Sequence, residues 1–175
     1  ESMKRKIGII FCAVCVFALI FGGCRSKKKE DNSAKKGTAV YYTNENGTRL
    51  ISVNKDVKLK DDAQENVGIL LNEMKKVSKD EDYQSVIPEG IVVNSAEVNN
   101  NIVMLDFSTG YSKLDNNEDL ICQAGIVYTL TQIDNISYVS FSVSGKTMLD
   151  TDGKAIGALG RDSFVFGELP MEEEE

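Results

Sequence analysis

Few residues in this chain are able to do chemistry, and their setting decides which of them could. There is no His in the 175 residues, so neither a His-based triad nor a His-ligated zinc site can form. Cys12 and Cys15 have C-x-x-C spacing, but they lie inside an apolar run, where two small hydrophobes are expected rather than a redox pair. Asp150-Thr151-Asp152-Gly153 has the opening of a calcium loop without the later ligands or the terminal Glu, so a plain Asp-Gly turn is the expectation. Gly153, Gly157 and Gly160 lack the strand–GxxxxGK–helix context of a phosphate loop. Asp106 stands in an otherwise apolar run. It is either a carboxyl with a shifted pKa or a structural carboxylate capping the Ser108-Thr109-Gly110 turn, and the second reading fits the neighbouring residues better. No nucleophile stands at a readable spacing from a base. The sequence therefore assigns no catalytic residue, no metal and no cofactor, and the chain is not expected to be an enzyme.

Cys24 is the one residue placed for covalent modification. Lys4-Arg5-Lys6 is followed by an apolar run of about 15 residues, Ile7 to Phe21, which matches a signal-peptide h-region. A spanning helix needs about 20 apolar residues. The run ends in Phe21-Gly22-Gly23-Cys24, which resembles the bacterial lipobox, with Phe21 standing where an aliphatic residue is usual. Small residues let the chain lie extended in a peptidase groove, and the Cys24 thiol is the acyl acceptor. The alternative is an uncleaved membrane anchor with an incidental Cys; either way the remainder lies outside the cytoplasm, on the outer face of the cytoplasmic membrane. Residues 1–23 are thus read as a signal peptide, and 24–37 as the lipidated Cys and a flexible basic linker. That linker is a soluble tether, or one gaining about 1 kcal/mol per Lys or Arg near anionic lipid. With Cys24 acylated, Cys122 has no disulfide partner in the mature chain. Twenty Lys and Arg against 27 Asp and Glu give a net charge of −7, which argues against nucleic acid as a partner.

The folded part is expected over 38–168. Ala39-Val40-Tyr41-Tyr42 and Arg49 to Val53 are β-rich runs around Asn44-Glu45-Asn46-Gly47, a hairpin signal. Asp62 and Glu65 have capping-box spacing, and Ala63, Val67, Leu70, Leu71, Met74 and Val77 then form the stripe of a first helix. Lys75, Lys76 and Lys79 follow near its end, where the helix dipole favours cations. Ile87-Pro88-Glu89-Gly90 is a turn. Two strands, Ile91–Val93 and Ile102–Phe107, flank Asn99-Asn100-Asn101, and the second, apolar on both faces apart from Asp106, is expected at the centre of the sheet. Asn116 and Asn117 are candidate caps for a second helix, and the strand from Tyr138 alternates Val139, Phe141 and Val143 with Tyr138, Ser140, Ser142 and Ser144. Ser163 to Phe166 reads as a short edge strand, and 169–175 as a disordered acidic tail. Helices separating strand pairs predict an α+β fold, one small mixed sheet with two helices packed on one face.

The second helix has two apolar sides. Leu120, Ile121, Ala124, Val127, Tyr128 and Thr131 make a front stripe, while Cys122, Ile126, Leu130 and Ile133 fall together on the reverse. A surface helix would be polar there. Either the segment from Thr147 to Phe166 folds over this second stripe, or these four residues form an interface with another copy of the chain or another envelope protein.

Several segments in order resemble the GerMN domain of sporulation and germination proteins. They are Ala39–Tyr42 with the Asn46-Gly47 turn and Leu50–Val53; Ile87-Pro88-Glu89-Gly90; Leu105-Asp106-Phe107-Ser108; Gln123 to Thr131; and Val139 to Gly145. The resemblance covers about Ala39 to Lys146. It implies an extracytoplasmic lipoprotein of Gram-positive bacteria, with a small sheet and two helices like ring-building motif domains, that scaffolds envelope assemblies without catalysis. The spore-forming type carries two copies in tandem, and one is visible here. A rival class is an envelope lipoprotein that captures a small molecule or cell-wall fragment.

Overall fold

The computed structural model describes residues 37–164 and 171–173. The expected signal peptide, Cys24 and all of the linker but Gly37 lie outside the described residues. β1 (Thr38–Asn44) and β2 (Leu50–Lys55) form the first hairpin, antiparallel with Thr43 opposite Leu50. Gly47 takes a φ of 66° in its turn. The Asn44 side-chain oxygen accepts from the backbone N–H of Thr48 at 2.8 Å and of Arg49 at 3.0 Å, the local bonding for which Asn is favoured in turns. α1 (Ala63–Met74) begins at Asp62, whose carboxylate accepts from the Glu65 N–H at 2.7 Å. Val67, Leu70 and Met74 of its stripe are fully buried.

β3 (Tyr83–Gln84) lies beside the end of β1. β4 (Val93–Asn99) and β5 (Ile102–Phe107) form a second hairpin, turned by Asn100 at a φ of 54°. A 3-10 turn (Thr109–Lys113) leads to α2 (Asn116–Leu130). β6 (Tyr138–Val143) then pairs parallel with β5, so β5–α2–β6 is a crossover unit of the kind parallel strands require. β7 (Lys146–Thr147), a 3-10 turn (Arg161–Ser163) and β8 (Met171–Glu173) complete the described chain.

Two four-stranded sheets stand where one was expected, ordered β3-β1-β2-β8 and β4-β5-β6-β7. The reason lies at the edge of β1. Beyond its two residues of pairing with β3, that edge meets α2: the Tyr41 N–H donates to Thr129 Oγ1 at 3.0 Å, and the Ala39 carbonyl accepts from Gln132 Nε2. The side chains of Thr129 in the helix and of Gln132 just beyond its end occupy the groups a continuous sheet would have used. At the β4 edge Gln64 of α1 does the same, donating to the Ala96 carbonyl at 2.7 Å and accepting from the Val98 N–H at 2.8 Å. Unpaired strand edges are templates for unwanted pairing, and here two helices block them.

Four further expectations are corrected. The strand reading of Ile91–Val93 begins two residues early, since β4 starts at Val93. β5 is central in its sheet, but only Val103, Leu105 and Phe107 are buried, and Met104 is 40% exposed, so one face of the sheet meets solvent. Ser163 belongs to a 3-10 turn rather than an edge strand; Val165 and Phe166 lie outside the described residues. The backbone of Met171–Glu173 pairs parallel with Leu50–Ser52, so the expected disorder of the acidic tail does not hold for these three residues.

α2 is buried from Ile121 to Leu130 without interruption. Its cap is Asp115 rather than Asn116 or Asn117. The Asp115 carboxylate accepts from the N–H groups of Asn117 (2.9 Å) and Glu118 (2.8 Å), and Glu118 accepts from the Asp115 N–H at 3.0 Å, a closed capping box. Asn117 donates instead to the Gly47 carbonyl at 2.8 Å, tying the helix start to the first hairpin.

Gly125, in the middle of this helix, is explained by Val86. A Cβ at position 125 would lie 2.7 Å from Val86 Cγ1 and 2.9 Å from Cγ2. Helix propensity alone would make Gly125→Ala stabilising by about 1 kcal/mol. Overpacking costs about 1–3 kcal/mol, and a branched Val held against a buried helix has little room to retreat. Gly125→Ala is therefore expected to lower the melting temperature, and Val86→Ala in the same chain to recover part of the loss. A melting temperature raised by Gly125→Ala alone would contradict this packing.

Candidate functional site

The second stripe of α2 is internal. Cys122, Ile126 and Leu130 have no solvent exposure and Ile133 has 3%, within a chain described without any partner. The interface reading of these four residues is therefore corrected. The covering elements also differ from the expected Thr147–Phe166 segment alone. α2 contacts β1, α1, β6 and the Arg161–Ser163 turn. From that turn Arg161 donates to the Tyr128 carbonyl at 2.7 Å and to Thr131 Oγ1 at 2.9 Å. An apolar surface on all sides of a helix requires burial on all sides.

Burial also settles the chemistry of Cys122. It pushes the thiol up to about 12, against a smaller lowering by the Tyr111 hydroxyl beside it. A nucleophilic Cys requires the opposite shift, so this thiol is inert at neutral pH. The Tyr111 hydroxyl donates to Asp119 Oδ1 at 2.6 Å, and Gln123 Nε2 donates to the same oxygen at 2.7 Å. These bonds pair the polar groups on this side of the helix.

Asp106 is structural, at a different turn from the one expected. It caps the β6–β7 turn rather than Ser108-Thr109-Gly110. One carboxylate oxygen accepts from Ser142 Oγ at 2.7 Å and from the Gly145 N–H at 2.7 Å, and the other accepts from Asn94 Nδ2 at 2.9 Å. Donors aimed at a charged carboxylate favour its ionised form. The Asn94 bond above all, then those of Gly145 and Ser142, hold this carboxyl below its ordinary value. Asp150 is spent on its own turn, accepting from the N–H groups of Asp152 (2.9 Å) and Lys154 (2.8 Å). Among the described residues no group of three or more Cys, Asp or Glu could hold a metal ion, and no helix is long and apolar enough to cross a membrane.

Among the described residues there is an open groove of about 700 Å³. Four segments distant in sequence form it: the tip of the first hairpin at Thr43 and Gly47, the residues after α1, the Gln84–Ile91 stretch, and the start of α2. Val86 fixes the third of these by its contact with Gly125, and the Pro88–Gly90 turn, with Gly90 at a φ of 89°, sets its outer rim. Val77, Ile87, Pro88, Ile91 and Ile121 provide the apolar lining, and Lys75 and Lys79 the cations. Thr43 is 6% exposed, and its hydroxyl has no hydrogen-bond partner. The sequence reading missed this groove. The lysines were visible as a cluster, but nothing local in Thr43 or Ile121 marks them as neighbours.

A helix enclosed by two small mixed sheets, joined through a β–α–β crossover, defines a GerMN-type α+β domain. Solved structures agree. The tandem GerMN domains of the sporulation protein GerM from Bacillus subtilis match with 26% identity and a TM-score of 0.50, over 74% of this chain and 46% of that one. The chain thus spans about half the length of that structure. The first GerMN domain of the same protein matches in fold, with a TM-score of 0.51 at 20% identity, over 72% of this chain and 98% of that one. No curated protein matches the chain. Residues 39–149 match the Germane family, described as sporulation and spore germination. The chain belongs to that family.

The Asp106 network has a pH signature. A carboxyl whose folded pKa is lowered contributes stability above its unfolded value, about 3.9 for Asp, and loses it as pH falls through the folded value. Wild type should therefore melt above Asp106→Asn by a constant margin between pH 5 and pH 7. The margin should shrink below pH 4. A margin independent of pH down to pH 2 would show that the charge of Asp106 contributes nothing.

Proposed function

We propose that this chain is a lipid-anchored lipoprotein on the outer face of the cytoplasmic membrane, where its GerMN-type domain acts as a non-catalytic binding and assembly module of the cell envelope in sporulation or spore germination. The observation that carries the reading is the order of features along the chain: Lys4-Arg5-Lys6, an apolar run, Gly22-Gly23-Cys24, a polar tether, then a domain of the Germane family. Family membership supplies the process. The Cys24 thiol supplies the attachment, since acylation buries about 0.8 kcal/mol per methylene and two chains hold far more firmly than one. The domain itself supplies the binding surface. Its partner is another copy of the chain or another envelope protein. A second reading, capture of a small molecule or cell-wall fragment, is favoured by the groove beside Thr43, whose volume of about 700 Å³ falls within the range of ligand sites.

Anchoring is tested by Cys24→Ala in the full chain expressed in a Gram-positive host. Metabolic labelling with a fatty acid should mark the wild type and leave the variant unlabelled and at precursor size. A variant that is still acylated and cleaved at the same place would overturn the lipoprotein assignment.

A further inference from the structure

We infer that Asn46, at the tip of the first hairpin, is a site of spontaneous backbone modification: its side-chain amide is lost as ammonia through attack by the Gly47 nitrogen, leaving an aspartyl or isoaspartyl residue. The inference depends neither on the lipid anchor nor on any partner of the domain.

Asn46-Gly47 is the one Asn-Gly pair in the 175 residues. The reaction needs a following residue whose nitrogen is unshielded, and glycine, having no Cβ, shields it least. A Cβ added at Gly47 would meet no atom within 4 Å, so this side of the peptide is open. Asn46 is exposed, and among the described residues its side chain makes no hydrogen bond. Asn44, two residues earlier in the same turn, is the opposite case. Its side-chain oxygen accepts from the N–H groups of Thr48 and Arg49, its Nδ2 donates to Thr48 Oγ1 at 3.2 Å, and Glu45 follows it. Asn94 is followed by the small Ser95, but its Nδ2 is held by Asp106 at 2.9 Å. Asn46 alone combines a free amide with a following glycine.

The chemistry balances with water alone. The Gly47 N–H gives its proton to hydroxide, the nitrogen bonds to Asn46 Cγ, and the Cγ–Nδ2 bond breaks as ammonia leaves. Water then opens the resulting succinimide at either carbonyl. One opening restores the ordinary main chain as an aspartate; the other routes the main chain through Cβ and Cγ as an isoaspartate. Nothing is oxidised or reduced. One bond opposes the attack, since the Gly47 N–H donates to the Asn44 carbonyl at 2.9 Å. It is a single bond at an exposed loop tip, where local opening costs least, so it slows the reaction without preventing it. The isoaspartyl form lengthens the main chain by one carbon–carbon bond, about 1.5 Å, in a turn that sets Thr43 opposite Leu50. Register in a hairpin depends on the length of its turn. The change also displaces the Gly47 carbonyl, which accepts from Asn117 Nδ2 at 2.8 Å and ties the hairpin to α2.

The experiment holds the full chain in detergent at pH 6 and at pH 8, well below its melting temperature, and samples it over weeks. Peptide mass spectrometry follows loss of the amide, and labelling by isoaspartyl methyltransferase follows the lengthened main chain. The peptide containing Asn46 should gain the mass of an acid in place of an amide and take up the methyl label. It should do so several-fold faster at pH 8 than at pH 6, and several-fold faster than any other Asn. Gly47→Ala should slow the conversion tenfold or more. That variant strains a φ of 66° and so loosens the turn, which by itself would speed the reaction, so a slower rate reports the crowded nitrogen. Asn44→Ala, which removes the bonds holding the turn shut, should speed it several-fold. The labelled fraction should melt below Asn46→Asp, which carries the same charge on a main chain of ordinary length and should melt as the wild type does. A synthetic Thr43–Arg49 peptide supplies the rate of the unfolded segment. Conversion of that peptide while the folded chain stays intact would overturn the inference. So would an unchanged rate in Gly47→Ala, loss of the amide without any isoaspartyl label, or equal conversion at Asn94.

Discussion

A helix with no solvent face from Ile121 to Leu130 can exist only if each polar atom on it finds a partner inside the protein, and α2 meets that demand residue by residue. Each fully buried aliphatic side chain contributes about 1.5–3 kcal/mol, while each unpaired buried polar group costs about 1–3 kcal/mol, so a few orphans would cancel the gain. Thr129 takes the Tyr41 N–H, Gln123 is bonded to Asp119, and Gln132 beyond the helix end takes the Ala39 carbonyl. These bonds position α2 against both sheets at once. They also fix what can stand at position 125, where the approach of Val86 leaves room for no side chain.

The same bonds account for the division into two sheets. A strand edge satisfied by Thr129 and Gln132 has no need of another strand there, and the edge of β4 is likewise occupied by Gln64. What remains open is specific. The outer face of the second sheet exposes Met104 and Tyr138 beside the Asp106 network, and among the described residues the short strand β3 is the end strand of its sheet. The helices thus determine which backbone edges are available to a partner.

Function follows this division of labour. The described residues form a domain of the Germane family. Its reactive groups are otherwise engaged: the thiol of Cys122 is buried and raised, and the carboxylates of Asp106 and Asp150 hold turns. Lys75, Lys79 and Thr43 line one groove, although the Thr43 hydroxyl itself is buried.

The sequence by itself determined the elements whose signals are local. The Asn46-Gly47 and Pro88–Gly90 turns, the cap at Asp62, the alternation of Val139 and Phe141, and the apolar second side of α2 were all legible, because each depends on residues within one or two turns of chain. The same locality made the resemblance to GerMN domains readable in short segments. Only the tertiary structure decided that Cys122, Ile126, Leu130 and Ile133 face the protein's own core rather than a partner, since an apolar stripe demands cover without naming it. It likewise decided the number of sheets, through hydrogen bonds 88 and 93 residues apart in sequence, and the turn that Asp106 caps, 39 residues away. The groove belongs to this second kind as well. Thr43, Lys75, Ile87 and Ile121 become neighbours only when four separate segments are brought together by the packing of α2, and no spacing along the chain encodes that meeting.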